Sequence, residues 1–365
     1  MRDRRLHIVL GLVLGLALCW YLFRGTDIYA LWEACLRADP RWLLLGLVLV
    51  FLSFVCRVQR WSYIVRSAQW VSFRTLFNAT QIGFLANFTL PGRVGEVVRA
   101  AVLTQRRGIP IVQAMAFVVL DRLTDLFGLV VAMLIAMIPL RTIDRVRLPE
   151  ALAVPSWAEP LLDARVFYSG FMAVSATLVG LMFFCLALYL RQVPLLRVLQ
   201  RLVAPLGERW RARILRAVSH FADGLHVLTS ARNLFFALLW SLITWGTGAW
   251  AYYCLMRAYG IVLPWHAGVL LIVMLSLAIS VPGAPGFIGQ FHFGVILGVY
   301  MVAPDTPITE ARVIALLAHG LNLFAVLVTG VYALISEGFG LRLLRNNADP
   351  HIAQEQAPNA SPPAP

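Results

Sequence analysis

The chain has 365 residues, of which 60% are hydrophobic and 13% are charged, and its mean hydropathy is +0.77. Soluble domains carry about 25% charged residues, so this composition excludes a soluble globular protein and indicates an integral membrane protein. All 31 basic residues are arginines lying mostly between apolar segments, which is typical of cytoplasmic loops beside anionic lipid and argues against a nucleic-acid partner.

Several segments run about 20 residues with few or no charges, long enough to cross a bilayer. We predict an all-α polytopic protein with six full transmembrane helices and two re-entrant or broken hairpins, which gives about eight membrane segments. The full helices are predicted at about 6–23, 42–64, 111–138, 166–190, 233–256 and 312–336, and the broken segments at about 75–90 and 266–303. Residues 1–345 are predicted to form one transmembrane domain, followed by a disordered Pro/Ala-rich tail at 346–365.

The uneven distribution of arginines between the loops predicts how the chain is oriented in the membrane. The N-terminal segment resembles a signal sequence but lacks a small-x-small cleavage site, so we expect an uncleaved first helix with a cytoplasmic N-terminus. The Arg-rich stretches 57–74, 93–107 and 191–232 are then also cytoplasmic, and 75–99 must enter and leave on that side as a re-entrant hairpin. This predicts a multi-pass protein of the bacterial inner membrane with both termini in the cytoplasm.

The two broken segments share a Pro-Gly-x-x-Gly-[Glu/Gln] pattern, at Pro91 and again at Pro285. The spacing also aligns 42–138 with 233–336, and one odd helix between the copies would invert the second. Inverted repeats with broken helices near the midplane are typical of secondary transporters. Coincidence between two Pro-Gly turns is the alternative.

Polar residues of the first hairpin form the first candidate substrate site. A helix N-terminus after a proline presents free N–H groups to an anion, and arginines there could hold a lipid phosphate, with Glu96 pairing with Arg93 or Arg99. Alternatively, the charges only anchor the hairpin at the interface. The candidates are Asn87, Pro91, Gly92, Arg93, Gly95, Glu96 and Arg99.

Asp121, Arg122 and Asp125 lie inside an otherwise apolar segment. Ionisable groups there must face the bundle interior or water, as a functional pathway or as a structural Arg–Asp network. The Asp-x-x-x-Asp spacing is also similar to magnesium–diphosphate sites of membrane prenyltransferases, which use a second acidic motif that is absent from this sequence.

The second half supplies a further group of candidates, which either complete a central site or only form helix–helix hydrogen bonds. They are Pro285, Gly286, Gly289, Gln290, His292, His319 and Asn322. Cys/His metal spacings and catalytic motifs are absent, so we expect no metal, no cofactor and no enzyme activity, with an intramembrane transferase as the alternative.

The run Leu90–Arg99, Asp121-Arg122-x-x-Asp125 and Pro285-Gly-x-x-Gly289 resembles the flippase-like family, the transmembrane region of lysylphosphatidylglycerol synthases. The resemblance spans about residues 5–340 and implies a polytopic inner-membrane protein. Some members of this family move a modified phospholipid between leaflets. Stand-alone members are linked to glycolipid, isoprenoid-lipid or hopanoid pathways.

Two features depart from the family. The chain ends in a short tail where full-length synthases add an aminoacyl-transferring domain, so synthase activity is not implied. Many relatives place a glutamate after the second Pro-Gly turn, where this chain has Gln290 and His292, which weakens an acidic role there.

Together these features predict a lipid translocase (flippase) that moves a phospholipid, glycolipid or isoprenoid-type lipid between leaflets. The expected partners are membrane lipids, especially anionic or phosphate-bearing ones. A non-transporting accessory subunit that holds a lipid-pathway enzyme at the membrane is the alternative.

Overall fold

The computed structural model describes residues 2–66, 68–90, 94–141, 143–154, 156–190, 230–280 and 284–338. Within these ranges the chain forms eleven α-helices and three short 3-10 turns (Glu150–Leu152, Ser156–Leu162 and Pro285–Phe287), and no β-strand. The helices are α1 (Arg2–Phe23), α2 (Ile28–Arg37), α3 (Pro40–Arg66), α4 (Phe73–Thr89), α5 (Gly95–Arg107), α6 (Ile111–Leu140), α7 (Ala164–Leu190), α8 (Ala231–Ala258), α9 (Trp265–Ser280), α10 (Gln290–Val302) and α11 (Ile308–Ser336). The predicted tail at 346–365 and most of the basic loop 191–232 lie outside the described residues.

Local sequence signals set several helix ends. Asp27 caps the start of α2, and the Ser72 hydroxyl accepts the N–H of Thr75 to cap α4. Gly108 ends α5 in the left-handed conformation (φ +66°), which glycine adopts without a steric penalty. Pro110 lies two residues after Gly108 and directly precedes α6, so the chain starts a new helix after only a short connection.

Six described stretches are long and apolar enough to cross a membrane: α3, α6, residues 164–181, α8, residues 285–302 and α11. This confirms the predicted all-α polytopic fold, and five of the predicted full segments coincide with these helices. The first predicted segment lies within α1, and α1 meets α2 at 81°, so Leu12–Phe23 and Ile28–Arg37 also qualify together as one bent span. Gly25 allows the bend by adopting a positive φ of +67°.

Each half contains a pair of short antiparallel helices at its predicted broken segment. α4 and α5 have 17 and 13 residues, so at 1.5 Å per residue neither reaches the roughly 30 Å of a bilayer core. They pack closely because Gly83 faces Gly95, where a Cβ would overlap the opposite backbone. α9 and α10 pair similarly at Gly294, where a Cβ would lie 2.8 Å from the Cβ of Ala278. That these pairs are re-entrant stays a prediction.

Equivalent helices of the two halves pack against each other in the same way. α3 packs against α8, while the first helix of each hairpin packs against the last helix of the other half, α4 on α11 and α9 on α6. A two-fold relation between 42–138 and 233–336 would produce this exchange; the inverted orientation of the second copy stays a prediction. The hairpin tips also meet, with the rings of Phe88 and Phe287 5.7 Å apart, edge to face.

Candidate substrate-binding site

A buried ion network joins α3, α5 and α6. Arg60 donates from Nε to Asp121 Oδ1 at 2.9 Å and from Nη1 to Asp125 Oδ1 at 2.6 Å. Arg99 donates from Nη1 to the other Asp121 oxygen, Oδ2, at 2.6 Å. The side chains of Arg60, Asp121 and Arg99 are 1%, 2% and 3% exposed, so solvent does not reach these ion pairs. We call this buried part of the network, Arg60 and Arg99 with Asp121 and Asp125, its floor.

The other side of the network is open. Arg122, at 40% exposure, lies 3.2 Å from Glu96, 3.6 Å from Asp121 and 3.5 Å from Asp125. Arg57, at 27% exposure, reaches Asp125 at 3.9 Å. These contacts are longer than those of the floor, so Arg57, Glu96 and Arg122 form a mouth whose cations are held loosely.

The network holds more positive than negative groups. Four guanidinium groups face three carboxylates, which leaves one net positive charge among the described residues. Arg99 Nε and Nη2 and Arg122 Nε are buried and have no hydrogen-bond partner in the described chain. The Arg99 guanidinium lies 3.5 Å from the ring centroid of Trp61, a cation–π contact that stabilises its charge without using an N–H. The site therefore retains donors and charge for an anion.

α8 closes the network from the second half. Trp245 donates from Nε1 to Asp125 Oδ1 at 3.3 Å, and Ser241 donates to the backbone oxygen of Thr124 at 2.7 Å. Gly128 makes this approach possible, because a Cβ there would lie 2.5 Å from the Ser241 hydroxyl.

Among the predicted residues of the first hairpin, Glu96 and Arg99 join the network, but Glu96 pairs with Arg122 and not, within the described residues, with Arg99. Asn87 lies beside them and accepts the N–H of Gly95 at 2.8 Å, so it caps the start of α5. Pro91, Gly92 and Arg93 lie outside the described residues.

The predicted residues of the second half gather elsewhere, around the Pro285–Gly289 turn. His319 bonds the Gly286 oxygen and His292, while Gln290 is buried in the first turn of α10. Asn322 lies one turn beyond His319 on α11 and donates to the Ala318 oxygen at 2.9 Å. Among the described residues, no ion pair joins this group to the buried network.

The sequence model of one protein family, described as the lysylphosphatidylglycerol synthase TM region, matches residues 8–330. The chain belongs to this family. The match is to the transmembrane region alone, and no curated protein sequence matches the chain. This member of the lysylphosphatidylglycerol synthase TM family is thus a multi-pass membrane protein.

In this family member, sequence reasoning missed Arg57 and Arg60, which it assigned to the cytoplasmic interface at the end of the second segment. The structure instead turns Arg60 into the bundle, where two carboxylates neutralise it. One signal was available: the two arginines are three residues apart inside an apolar segment, so they share a helix face, and charges inside a membrane helix face the bundle interior. Nothing local to Ser241 or Trp245 marks them as partners of α6.

Proposed function

We propose that this protein is a lipid translocase whose buried network binds the phosphate or another anionic headgroup of a membrane lipid. The mouth formed by Arg57, Glu96 and Arg122 would receive the headgroup, with Arg93 nearby in sequence. The acyl or isoprenoid chains would stay in the surrounding bilayer while the halves move. We place the protein in the bacterial inner membrane with both termini in the cytoplasm.

The observation that carries this proposal is the net charge of the network. Its floor is balanced, because Arg60 and Arg99 face Asp121 and Asp125. The excess positive charge lies at the mouth, where Arg122 pairs with Glu96 and Arg57 reaches Asp125, a carboxylate that Arg60 already neutralises. A purely structural network would be neutral, since uncompensated charge in a membrane is costly. One bound monoanion would neutralise this site.

Arg122 is the residue best placed to exchange partners. Its three carboxylate contacts lie at 3.2–3.6 Å, whereas the floor contacts to Asp121 and Asp125 lie at 2.6–2.9 Å. Charge-assisted N–H···O bonds are strongest at about 2.7–2.9 Å, so Arg122 loses little by turning toward a phosphate. The guanidinium fork suits bidentate binding of phosphate or carboxylate.

The same geometry disfavours the magnesium-dependent transferase. Both oxygens of Asp121, and Oδ1 of Asp125, accept hydrogen bonds from guanidinium groups, so little carboxylate surface is left for a metal. The accessory-subunit alternative predicts that the network is dispensable, which the experiment below tests.

The test is a lipid-sidedness assay in proteoliposomes that contain labelled phosphatidylglycerol or phosphatidylcholine. Wild type is compared with Arg122→Ala, which removes a mouth cation and leaves the floor intact. Arg145→Ala is the matched control, because Arg145 forms an exposed pair with Glu159 at 3.0 Å outside the network.

We expect the anionic lipid to be flipped by wild type and Arg145→Ala, and at least tenfold more slowly by Arg122→Ala. Equal flipping by all three proteins would refute the binding site. No flipping of either lipid, or of a polyprenyl phosphate tested alongside, would favour the accessory-subunit alternative.

A further inference from the structure

Two buried histidines, His292 and His319, form hydrogen bonds to both ends of the second hairpin turn. His319 Nε2 lies 2.8 Å from the backbone oxygen of Gly286, and its Nδ1 lies 3.4 Å from His292 Nε2. His292 Nδ1 in turn lies 3.4 Å from the backbone nitrogen of Gly289. The two rings therefore bridge the first and last glycines of the Pro-Gly-x-x-Gly turn.

The backbone partners fix every proton in this chain of bonds. A carbonyl only accepts, so His319 Nε2 carries a hydrogen and donates to Gly286; a neutral His319 then has a free acceptor at Nδ1. The Gly289 amide only donates, so His292 accepts at Nδ1 and donates from Nε2 to His319. All four ring nitrogens are used, with both rings neutral.

An additional proton breaks this arrangement. On His319 it would point Nδ1–H at the Nε2–H of His292, and on His292 it would point Nδ1–H at the amide N–H of Gly289. In either case a donor faces a donor, and at least one of the three bonds is lost.

Among the described residues, no Asp or Glu side chain pairs with either ring. The rings of Phe23 on α1, Phe88 on α4 and Phe291 on α10 contact the pair. On the packed helices, Arg24 adjoins Phe23, and Arg74 and His266 begin their helices. Tyr300 is eight residues from His292, and Arg312, Glu310 and Tyr332 are seven, nine and thirteen residues from His319. Tyr252 bonds Asn322, one turn beyond His319. Among the described residues, neither histidine forms an ion pair.

The turn held by this pair touches the first hairpin. Gly286, Phe287 and Gly289 all have positive φ angles, of 67°, 58° and 83°, and Phe287 is the one non-glycine residue with positive φ in the described chain. This conformation points the Phe287 ring at Phe88, at the tip of the first hairpin. A turn with such backbone angles needs outside support, and the histidine pair supplies it at both ends.

We propose that His292 and His319 are positioning residues of a proton-operated latch: when both are neutral they hold the hairpin tips together, and protonation of either lets the tips separate. The proposal rests on the translocase function above, because tip separation would open the path past the ion network. Because both rings are buried among aromatic side chains, an added proton costs free energy, so the latch would open, and transport would become faster, only under acidic conditions.

Spin-label distances between Leu90→Cys and Ile288→Cys test the latch directly, in full-length protein in lipid nanodiscs with the five native cysteines replaced. Both positions are exposed and neighbour the touching tips. We expect one short distance at pH 8 and a second, longer one at pH 4, with their ratio rising by up to about tenfold per pH unit for one proton.

His292→Asn retains an acceptor for Gly289, and His319→Gln retains a donor for Gly286, but neither can gain the proton at its own site. We expect each variant to weaken the pH response, and the double variant to abolish it. An unchanged wild-type distance between pH 8 and pH 4, or an equal response in the double variant, would overturn the latch. Should a variant fail to fold, the wild-type comparison still decides.

Arg122→Ala should keep the pH response while losing transport, so failure of the latch and failure of the translocase function are distinguishable.

Discussion

Replacing Asp121 with Asn is the most direct perturbation of the ion network. Asp121 is 2% exposed and accepts hydrogen bonds from Arg60 at 2.9 Å and Arg99 at 2.6 Å. An amide keeps the shape but removes the negative charge and turns one acceptor oxygen into a donor nitrogen. The net charge of the network would rise from one to two positive charges.

The expected cost follows from the burial of those two arginines. Removing one partner of a buried ion pair destabilises a protein by about 3–5 kcal/mol, because the remaining charge is left uncompensated. At about 2 °C per kcal/mol for a chain of this size, the melting temperature should fall by about 6–10 °C.

Thermal unfolding followed by size-exclusion chromatography of the detergent-solubilised protein would measure this fall. Glu159→Gln is the matched control, because Glu159 pairs with Arg145 at 3.0 Å in an exposed position, where a salt bridge contributes about 0–1 kcal/mol. A fall of less than about 2 °C for Asp121→Asn, equivalent to roughly 1 kcal/mol, would refute the view that Asp121 holds the network together.

Three further predictions concern the helix contacts and the charge of the mouth. Gly128→Ala should destabilise the protein by about 1–3 kcal/mol through overpacking against α8, while Gly246→Ala, which meets open space, should be neutral in the same melting assay. Asn87→Ala removes the cap on the Gly95 N–H and should cost about 1 kcal/mol, seen as a melting shift of about 2 °C. Glu96→Gln removes a negative charge from the mouth and should lower the half-saturating fraction of anionic lipid in the flipping assay; a higher value would contradict an anionic substrate.

The helical segments were predictable because their apolar runs have the length of a bilayer, and α3, α6, α8 and α11 lie where composition places them. The break in the first hairpin was equally visible, since Pro91 and the two following glycines interrupt an apolar stretch. α2 was not predicted, because ten residues with a charged pair at Glu33 and Arg37 do not form a membrane segment by length.

Only part of the site could be predicted from the sequence, because some of its residues are far apart along the chain. Asp121, Arg122 and Asp125 are charges inside an apolar helix, a signal that needs no tertiary information. Their main partner, Arg60, lies 61 residues before Asp121, and Trp245 lies 120 residues after Asp125. Only the packing of α3 and α8 on α6 brings these side chains together.

The two hairpins use different chemistry at related positions. In the first, Asn87 caps the amide of Gly95; in the second, His292 caps the amide of Gly289, the glycine 194 residues later. The same spacing relates Asp125 in the ion network to His319 in the histidine pair. The half that holds the ion network therefore offers an anion four guanidinium groups, whereas the half that holds the histidine pair offers it two neutral rings. Under the proposed function, anion binding then falls to the first half and movement of the hairpin tips to the second.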